Sequence, residues 1–380
     1  MLHEHDLPET ITDITRLMHT MTAGQDSAPP IAIGASTDSD YQRKGNRTVA
    51  MLEEGLCVTE GAQYCTCFDS GVSATHHLLV TQCKPGDTLI THEQLYWGTI
   101  RAEQFAEHRG VNILKVDLRD EAALREAMKH DPVMVLFEPI SNPELHAIDI
   151  AKVSQIAHEG GAMVAIDNTL MPLLCNPIQL GVDVVMHSLT KYVNGHGDAL
   201  GGALLCNDEK LHREFRYSRE WLGGVLNPFA AYLHMRGLKT MHLRIPEHCR
   251  IARVVAEHLA KDPRIATVRY PGLPDDPSYA IASEQFSDFG GVLTLAFDDI
   301  EYSWRDDPDI SHHFKLVRFM ASLGETETLA IVFHSRDPET DTYRVALRIS
   351  VGMEDPKDLI ADIEQAIDGV IEQLTPKGES

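Results

Sequence analysis

Short apolar runs alternate with longer amphipathic stretches along residues 46–243. Each apolar run ends in turn-forming residues, which is typical of a strand buried on both faces. The seven runs are Gln63 to Phe68, Thr88 to Thr91, Asn112 to Val116, Val133 to Phe137, Ala162 to Ile166, Asp183 to Met186 and Gly202 to Leu205. Helical periodicity marks Thr99 to His108, Glu121 to Lys129 and Ile150 to His158 between them. This alternation predicts a large α/β domain with a mostly parallel seven-stranded sheet between helices.

The flanking segments have different patterns. Residues 1–45 hold a helical pattern near Ile11 to Met21, followed by Ala23-Gly-Gln-Asp-Ser-Ala-Pro-Pro, which predicts an arm without a core of its own. Residues 244–380 follow a strongly helical region and predict a smaller α+β domain. Its strands are expected near Gly291 to Phe297, Leu329 to Phe333 and Tyr343 to Val351, and its helices near Phe314 to Met320 and Pro356 to Leu374.

Charge and composition argue against several classes of function. The 33 basic and 57 acidic residues give a formal net charge of −24 at pH 7, whereas nucleic acids and anionic membrane surfaces bind basic faces. No apolar run approaches the roughly 20 residues that span a bilayer, and the first residues lack the basic start and apolar core of a signal peptide. We therefore expect a cytoplasmic protein with neither a nucleic-acid nor a membrane partner.

Cysteine and histidine spacing does not indicate a metal site. The seven cysteines are an odd number and lie scattered, which is typical of reduced, buried thiols. Cys65 and Cys67 would share one face of a strand, and no second cysteine pair at zinc spacing follows. The 20 histidines include no His-Glu-x-x-His motif.

Charged residues follow two of the predicted strands. Asp167 closes one apolar run and Lys191 follows the next, about one βαβ crossover later. Because the carboxyl ends of parallel strands face the ligand crevice, we expect the two side chains to converge there. A lysine in this position can bind phosphate as a point charge or form an imine with a carbonyl. Together, a lysine that forms an imine and a carboxylate that holds a pyridinium proton are the groups that pyridoxal phosphate (PLP) requires.

The segment Ser70-Gly71-Val72 leads from a predicted strand straight into a helical run. Such a turn directs free backbone N–H groups and the positive end of a helix dipole at one point. This arrangement binds anions, and phosphate is the best suited of them. The alternative is a plain helix start capped by serine or aspartate. The glycine-rich stretch Asn194 to Gly202 has the wrong spacing for a dinucleotide fingerprint and leads into a strand, which disfavours an NAD-dependent oxidoreductase.

The lysine segment, Met186-His-Ser-Leu-Thr-Lys191-Tyr-Val-Asn-Gly-His-Gly-Asp198, resembles the motif of the Cys/Met-metabolism PLP enzymes. This is the family of cystathionine γ-synthase, cystathionine γ-lyase and methionine γ-lyase, which has the type I fold of PLP-dependent transferases. Further matches follow in the expected order over nearly the whole chain: Tyr41 to Thr48, Ser70 to Val72, Leu95 to Thr99, Glu138 to Pro143, Asp167 to Thr169, Ser322 to Gly324 and Leu347 to Gly352.

The resemblance implies a role for each matched position. Lys191 would carry the cofactor as an imine and move protons, Asp167 would keep the ring nitrogen protonated, and Tyr96 would stack on the ring and act as an acid or base. Other cofactor contacts would come from Ser70, Gly71, Val72, Asn142, Ser188 and Thr190.

The resemblance also implies an amino-acid substrate and a homo-oligomer. Arg348 would bind the substrate carboxylate through a bidentate pair. The implied substrate-binding residues are Arg348, Ser322, Leu323 and Tyr41. Because Tyr41 and Arg43 would reach the cofactor phosphate of a neighbouring subunit, the catalytic unit would be a homodimer, usually paired into a homotetramer.

Five positions depart from the family pattern and are candidates for substrate selectivity. Ala321 stands where enzymes that handle cystathionine have a glutamate, and Gly98 stands where methionine γ-lyases have a cysteine. Trp97 replaces a usual glycine, Asp40 a usual phenylalanine, and Glu325 a usual glycine or aspartate. The two acidic residues suggest a γ-substituent with a cationic or strongly polar end, such as the oxyguanidine of canavanine.

The expected activity is γ-elimination on an L-amino acid with a sulfur or oxygen leaving group at the γ-carbon. Substrates of this kind are methionine or homocysteine, O-substituted homoserine, and canavanine. The alternatives are γ-replacement, β-elimination, and a catalytically silent binding protein that keeps the fold.

Overall fold

The computed structural model describes residues 12–21, 28–36, 41–301, 309–336 and 343–374. These residues form two compact units. The first comprises the described residues up to Ile140 together with Ile148–His242, and the second comprises Ser141–Ala147 and the described residues from Leu243 onwards. Ser141–Ala147, which lies within the predicted range of the large domain, therefore belongs to the second unit.

A sheet of seven strands forms the centre of the first unit. Its strands are β1 (Tyr64–Phe68), β2 (Thr88–His92), β3 (Asn112–Val116), β4 (Met134–Phe137), β5 (Met163–Asp167), β6 (Val184–Ser188) and β7 (Gly202–Cys206). The order across the sheet is β1-β7-β6-β5-β4-β2-β3, and only β7 runs antiparallel to its neighbours. Apolar residues of the central strands are fully buried, as the apolar runs predict. The predicted mostly parallel seven-stranded sheet is confirmed.

Helices connect these strands, and short polar side chains fix several of their starts. Asn46, Asp120, Asp149 and Asp208 each accept hydrogen bonds from backbone N–H groups in the first turn of a helix. The helices are α2 (Arg47–Glu60), α3 (Gly71–Gln82), α4 (Trp97–His108), α5 (Glu121–Ala127), α6 (Ile150–Glu159), α7 (Glu209–Leu222) and α8 (Pro228–Leu259).

The N-terminal segment is partly anchored to its own chain. Its helix α1 (Asp13–Thr20) confirms the helix predicted there, although Ile11 lies outside the described residues. Leu17 and Met21 are buried, and Met21 packs against Gly55 of α2, where an added Cβ would lie 2.7 Å from the methionine sulfur. The predicted contact of this arm with a neighbouring subunit stays a prediction.

The second unit contains a five-stranded sheet with helices. The order across the sheet is β10-β11-β12-β9-β8. Its elements are β8 (Thr267–Arg269), α9 (Tyr279–Gln285), β9 (Val292–Glu301), β10 (Arg318–Phe319), β11 (Leu329–Arg336), β12 (Tyr343–Ser350) and α10 (Pro356–Leu374). Three predicted strands and the C-terminal helix of this α+β unit are present.

The helix predicted near Phe314 to Met320 is wrong. A single 3-10 turn over Ser311–His313 precedes an extended segment, and Phe319 pairs in parallel with Ala330 of β11. The carboxylate of Asp362 accepts the backbone N–H groups of residues 315, 316 and 317 at 2.8 to 3.0 Å. The N–H groups of Arg318 and Met320, which a helix would direct to its own carbonyls, donate instead to the carbonyls of Thr328 and Ala330 at 3.0 and 3.1 Å.

No helix among the described residues is both long and apolar enough to cross a membrane. All seven cysteine thiols are free, and six of them are buried. Within the same described part of the chain, no three His, Cys, Asp or Glu side chains are grouped as a metal ion would require.

Candidate active site

Two neighbouring parallel strands of the first unit end in the predicted lysine–aspartate region. Asp167 is the last residue of β5 and pairs with Met186 of β6, while Ser188 ends β6. Lys191 lies three residues further on, in a turn where its N–H donates to the Ser188 carbonyl at 3.2 Å. Both functional side chains therefore follow the carboxyl ends of adjacent strands, as the sequence predicts.

A hydroxyl links the ends of these two strands. Thr169 donates its backbone N–H to Asp167 Oδ1 at 3.0 Å, and its hydroxyl donates to the same oxygen. The Thr169 hydroxyl also accepts the Ser188 N–H at 2.8 Å. Thr169 therefore fixes the carboxylate relative to β6, a role that sequence reasoning missed. The Asp-x-Thr spacing was the available signal, because such side chains commonly bond the backbone two residues away.

Burial and hydrogen bonding act on Asp167 in opposite directions. Burial raises the pKa of Asp167, whereas the bonds from Thr169 and the nearby His187 lower it. Among the described residues, Asp167 forms no ion pair with a cationic side chain. A buried carboxylate without such a partner favours a cation as its ligand, and the protonated ring nitrogen of PLP is one.

The start of α3 has the geometry that an anion-binding site requires. The Ser70 hydroxyl caps the helix by accepting the Ser73 N–H at 3.2 Å. Gly71 lies against the end of β6, since an added Cβ would be 2.8 Å from Ser188 Cβ. The N–H groups of Gly71 and Val72, the first two residues of the helix, have no partner within it, which suits a phosphate. The Ser188 side chain lies beside this site.

The turn that carries Lys191 is tied to the next strand. The Thr190 hydroxyl accepts the Gly201 N–H at 3.1 Å, and the Gly195 N–H donates to the Lys191 carbonyl at 2.8 Å. Gly237 of α8 packs so closely that an added Cβ would lie 2.2 Å from the Asn194 carbonyl oxygen. The backbone of Lys191 is therefore held firmly, while its side chain is only half-buried.

Tyr96 immediately precedes α4, and its ring covers Gly98. A Cβ added to Gly98 would lie 2.4 Å from Cε1 of the Tyr96 ring. The Trp97 ring is tilted against Tyr96, with centroids 5.4 Å apart, and Trp97 is 64% exposed. The Tyr96 ring thus occupies space that a side chain at position 98 would fill.

Replacement of Gly98 by alanine is expected to displace the Tyr96 ring and lower kcat/KM by roughly 10- to 100-fold, because misplacement by about 1 Å can cost that much. Steady-state kinetics would measure the effect. Gly45→Ala is the matched control, since its added Cβ would meet only an arginine nitrogen at 3.8 Å. An unchanged kcat/KM in Gly98→Ala would show that the position of Tyr96 does not depend on this glycine.

Tyr41 and Arg43 lie together on the surface of the first unit. The Arg43 guanidinium lies 4.5 Å from the centroid of the Tyr41 ring, and its Nε donates to the Glu220 carbonyl of α7 at 3.1 Å. Both side chains are exposed. Their predicted contact with the cofactor phosphate of another subunit stays a prediction, and Asp40 lies outside the described residues.

Arg348 is a buried arginine of the second unit. It lies on β12 with 5% exposure, and its guanidinium donates to Asn142 Oδ1 at 3.0 Å and to the Ser322 carbonyl at 2.8 Å. Two of the predicted site residues thus hold the guanidinium of a third. Leu323 next to Ser322 is buried. The fixed, planar guanidinium is suited to a carboxylate ligand.

The loop after Ser322 contains two of the selectivity candidates. Gly324 has a φ of +74°, a conformation that favours glycine, and its N–H donates to the Ser350 hydroxyl at 2.9 Å. Ala321 is exposed and Glu325 is half-buried. Among the described residues, Glu325 forms no ion pair. The loop backbone is therefore fixed beside Arg348, and the Glu325 carboxylate is available to a ligand.

The residues of the first unit fit PLP. The start of α3 suits the phosphate, Asp167 suits the ring nitrogen, and Lys191 supplies the amine at the same edge of the sheet. The fold and this set of residues define a PLP-dependent enzyme of the type I fold.

Similarity to known proteins extends over nearly the whole chain. The family model of the Cys/Met metabolism PLP-dependent enzymes matches residues 3–368. The chain is 36% identical over 336 residues to the cystathionine gamma-synthase of Mycobacterium tuberculosis, covering 86% of each protein. It is 35% identical over 346 residues to the L-methionine gamma-lyase of Fusobacterium nucleatum subsp. polymorphum, covering 87% of this chain and 86% of that protein.

A solved structure has the same fold. The structure of apo CalE6, a methionine gamma lyase from Micromonospora echinospora, aligns with a TM-score of 0.86 and 32% identity over 94% of this chain and 99% of that one. This confirms the predicted type I fold. The chain belongs to the Cys/Met metabolism PLP-dependent enzyme family, and PLP is its cofactor.

Proposed function

We propose that the protein catalyses γ-elimination on an L-amino acid with a sulfur or oxygen leaving group at the γ-carbon. The observation that carries the proposal is the edge of the first unit's sheet, where Thr169 holds Asp167 beside the turn of Lys191. The guanidinium of Arg348, held by Asn142, supports an amino acid as the substrate, because it is arranged to bind a carboxylate.

PLP, when bound, supplies an electron-accepting ring that stabilises negative charge on the substrate carbon next to the amino group. The Lys191 amine would remove and return protons at this carbon, and loss of a further proton from the β-carbon would allow the γ-group to leave. Asp167 would hold the proton on the ring nitrogen. The phenol of Tyr96 donates a proton to the departing γ-group. Arg348 orients the substrate through its carboxylate. One water molecule is then consumed to release a 2-oxo acid and ammonia, beside the protonated γ-group. If a nucleophile enters instead, the product is a γ-substituted amino acid.

Relatives named synthase and lyase share the family, so γ-replacement is the second candidate reaction. β-Elimination is the third. Product analysis with and without an added thiol separates them. We expect 2-oxobutanoate, which keeps the γ-carbon, and ammonia to form without a thiol, whereas pyruvate would indicate β-elimination. If product forms only when a thiol is added, γ-elimination is wrong and γ-replacement is right.

We infer that the selectivity of the enzyme depends on residues other than those that hold the cofactor. Ala321 supplies no carboxylate for a distal ammonium, whereas the half-buried Glu325 has no ion-pair partner among the described residues. Competition among methionine, homocysteine, cystathionine, O-acetylhomoserine and canavanine tests this idea. We expect canavanine, with its oxyguanidine group, to have a higher kcat/KM than cystathionine, and Glu325→Gln to reduce that preference. A wide advantage of the thioethers would contradict the cationic specificity.

We propose a homodimer as the catalytic unit, paired into a homotetramer. The pair Tyr41 and Arg43 supports this assembly, because both side chains lie exposed on the surface of the first unit. Sedimentation equilibrium that finds only a monomer in the active enzyme would contradict it. The cytoplasmic location also stays a prediction.

A further inference from the structure

Glu138 is a buried carboxylate to which the mechanism above assigns no role. It follows β4 directly and is 4% exposed. Among the described residues no cationic side chain forms an ion pair with it. An ionised carboxylate that is buried with no cation beside it lowers the stability of the folded protein.

One oxygen of Glu138 holds the backbone of Tyr96. Glu138 Oε1 accepts the Tyr96 N–H at 2.6 Å. Tyr96 stands at the N-cap position of α4 and makes no side-chain capping bond of its own. Glu138 therefore holds the backbone where α4 begins, next to the tyrosine ring.

Asp167 is the neighbouring carboxylate. Glu138 and Asp167 both line one small cavity of about 10 Å³. The other residues around this cavity carry no charge: Thr75, Leu78, Leu95, Thr99, Leu136, Phe137 and Met186. Two carboxylates in such a site do not both ionise readily, because each disfavours the charge of the other.

The hydrogen bonds around the two carboxylates favour Glu138 over Asp167 as the protonated member of the pair. Asp167 receives two hydrogen bonds from Thr169, and His187 further favours its ionised form. Glu138 receives the Tyr96 N–H alone. Burial and the negative charge of Asp167 raise the pKa of Glu138 well above its usual value, and the bond from Tyr96 only partly offsets this.

We propose that Glu138 is a positioning residue that acts as a neutral carboxylic acid, holding the backbone of Tyr96 while Asp167 remains the charged carboxylate of the pair. The consequence for the active site rests on the proposed function, since Tyr96 and Asp167 are assigned to the reaction there. The protonation state itself does not depend on that function.

The pH dependence of unfolding tests the protonation state. Unfolded Glu138 ionises above its usual pKa of about 4.5, whereas the folded protein keeps the proton. The folding equilibrium constant of the wild type should therefore fall about tenfold per pH unit relative to Glu138→Gln, from pH about 4.5 up to the raised pKa. Denaturant unfolding of the full-length protein over this range, with PLP present, measures the ratio. A ratio that does not change with pH would overturn the proposal.

Kinetics test the positioning role. Glutamine keeps an oxygen acceptor and is neutral, so Glu138→Gln should keep kcat/KM within about threefold and leave the absorbance of the bound cofactor and its pH dependence unchanged. Glu138→Leu loses the acceptor and should lower kcat/KM at least tenfold. Glu126→Gln on the exposed face of α5 is the control. A large loss in Glu138→Gln would mean that the charge of Glu138 is required.

The two proposals fail in different ways. If the wild type acquires no visible absorbance with PLP, the proposed function is wrong, but the unfolding comparison still decides the state of Glu138. If the wild type binds PLP and Glu138→Gln shifts the pH dependence of the cofactor absorbance, the inference about Glu138 alone is wrong.

Discussion

Lys191→Ala is expected to abolish the covalent link to PLP and to lower kcat by at least about 10³-fold, because one side chain supplies both the imine-forming amine and the proton transfer. The visible absorbance of the purified protein and steady-state turnover measure the two effects. The fixed backbone of the turn, bonded through the Gly195 N–H and the Thr190 hydroxyl, should keep the variant folded.

Lys210→Ala is the matched control for this variant. Lys210 lies on α7, and its side chain is 78% exposed. The control should keep the colour and the turnover of the wild type. If Lys191→Ala keeps the turnover of the wild type at any pH, Lys191 is not required for the reaction.

Asp167→Asn is expected to lower kcat/KM by about 10²- to 10³-fold. The substitution removes the carboxylate that would pair with the protonated ring nitrogen of PLP, and breaking a buried ion pair costs roughly 3–5 kcal/mol. Asparagine keeps the size of the side chain and an oxygen that can accept hydrogen bonds from Thr169. The decrease in kcat/KM therefore measures the contribution of the negative charge. The affinity for PLP, measured by absorbance titration, should fall as well.

The pH dependence of PLP binding follows from the same residue. Burial raises the pKa of Asp167, and the carboxylate is charged only above that pKa. The contribution of Asp167 to cofactor binding is therefore present at higher pH and lost as the pH falls through the raised pKa. Asp167→Asn should not have this dependence.

Asp183→Asn is the control for the loss of a carboxylate. Asp183 precedes β6 at the opposite edge of the same sheet and accepts the Val164 N–H at 2.8 Å. We expect its kcat/KM to stay near that of the wild type. An equal loss in the two variants would mean that the effect of Asp167→Asn is a general weakening of the sheet.

The sheet and the position of the cofactor residues could be predicted because the determinants are local. Apolar runs buried on both faces define the central strands. Asp167 and Lys191 stand at or just after the ends of two of these runs, so their place at the carboxyl ends of the strands follows from the sequence. The start of α3 was likewise predictable, since a strand, a capping serine and a glycine stand in sequence there.

Other features depend on contacts between segments that are distant in sequence. The segment expected to form a helix near Phe314 instead pairs with β11, and Asp362 binds the backbone N–H groups at its start. The close approach of the Tyr96 ring to Gly98 and the bond from Tyr96 to Glu138 are visible only in three dimensions. Single residue types cannot indicate such packing, because a glycine or a glutamate has many uses.

Peptide mapping after borohydride reduction tests the central claim most directly. Reduction of the purified, PLP-loaded protein fixes an imine as a stable bond, and mass spectrometry of the digest then locates the modified lysine. A phosphopyridoxyl group is expected on Lys191 and none on the exposed Lys210. An unmodified Lys191, or a modification only at another lysine, would contradict it.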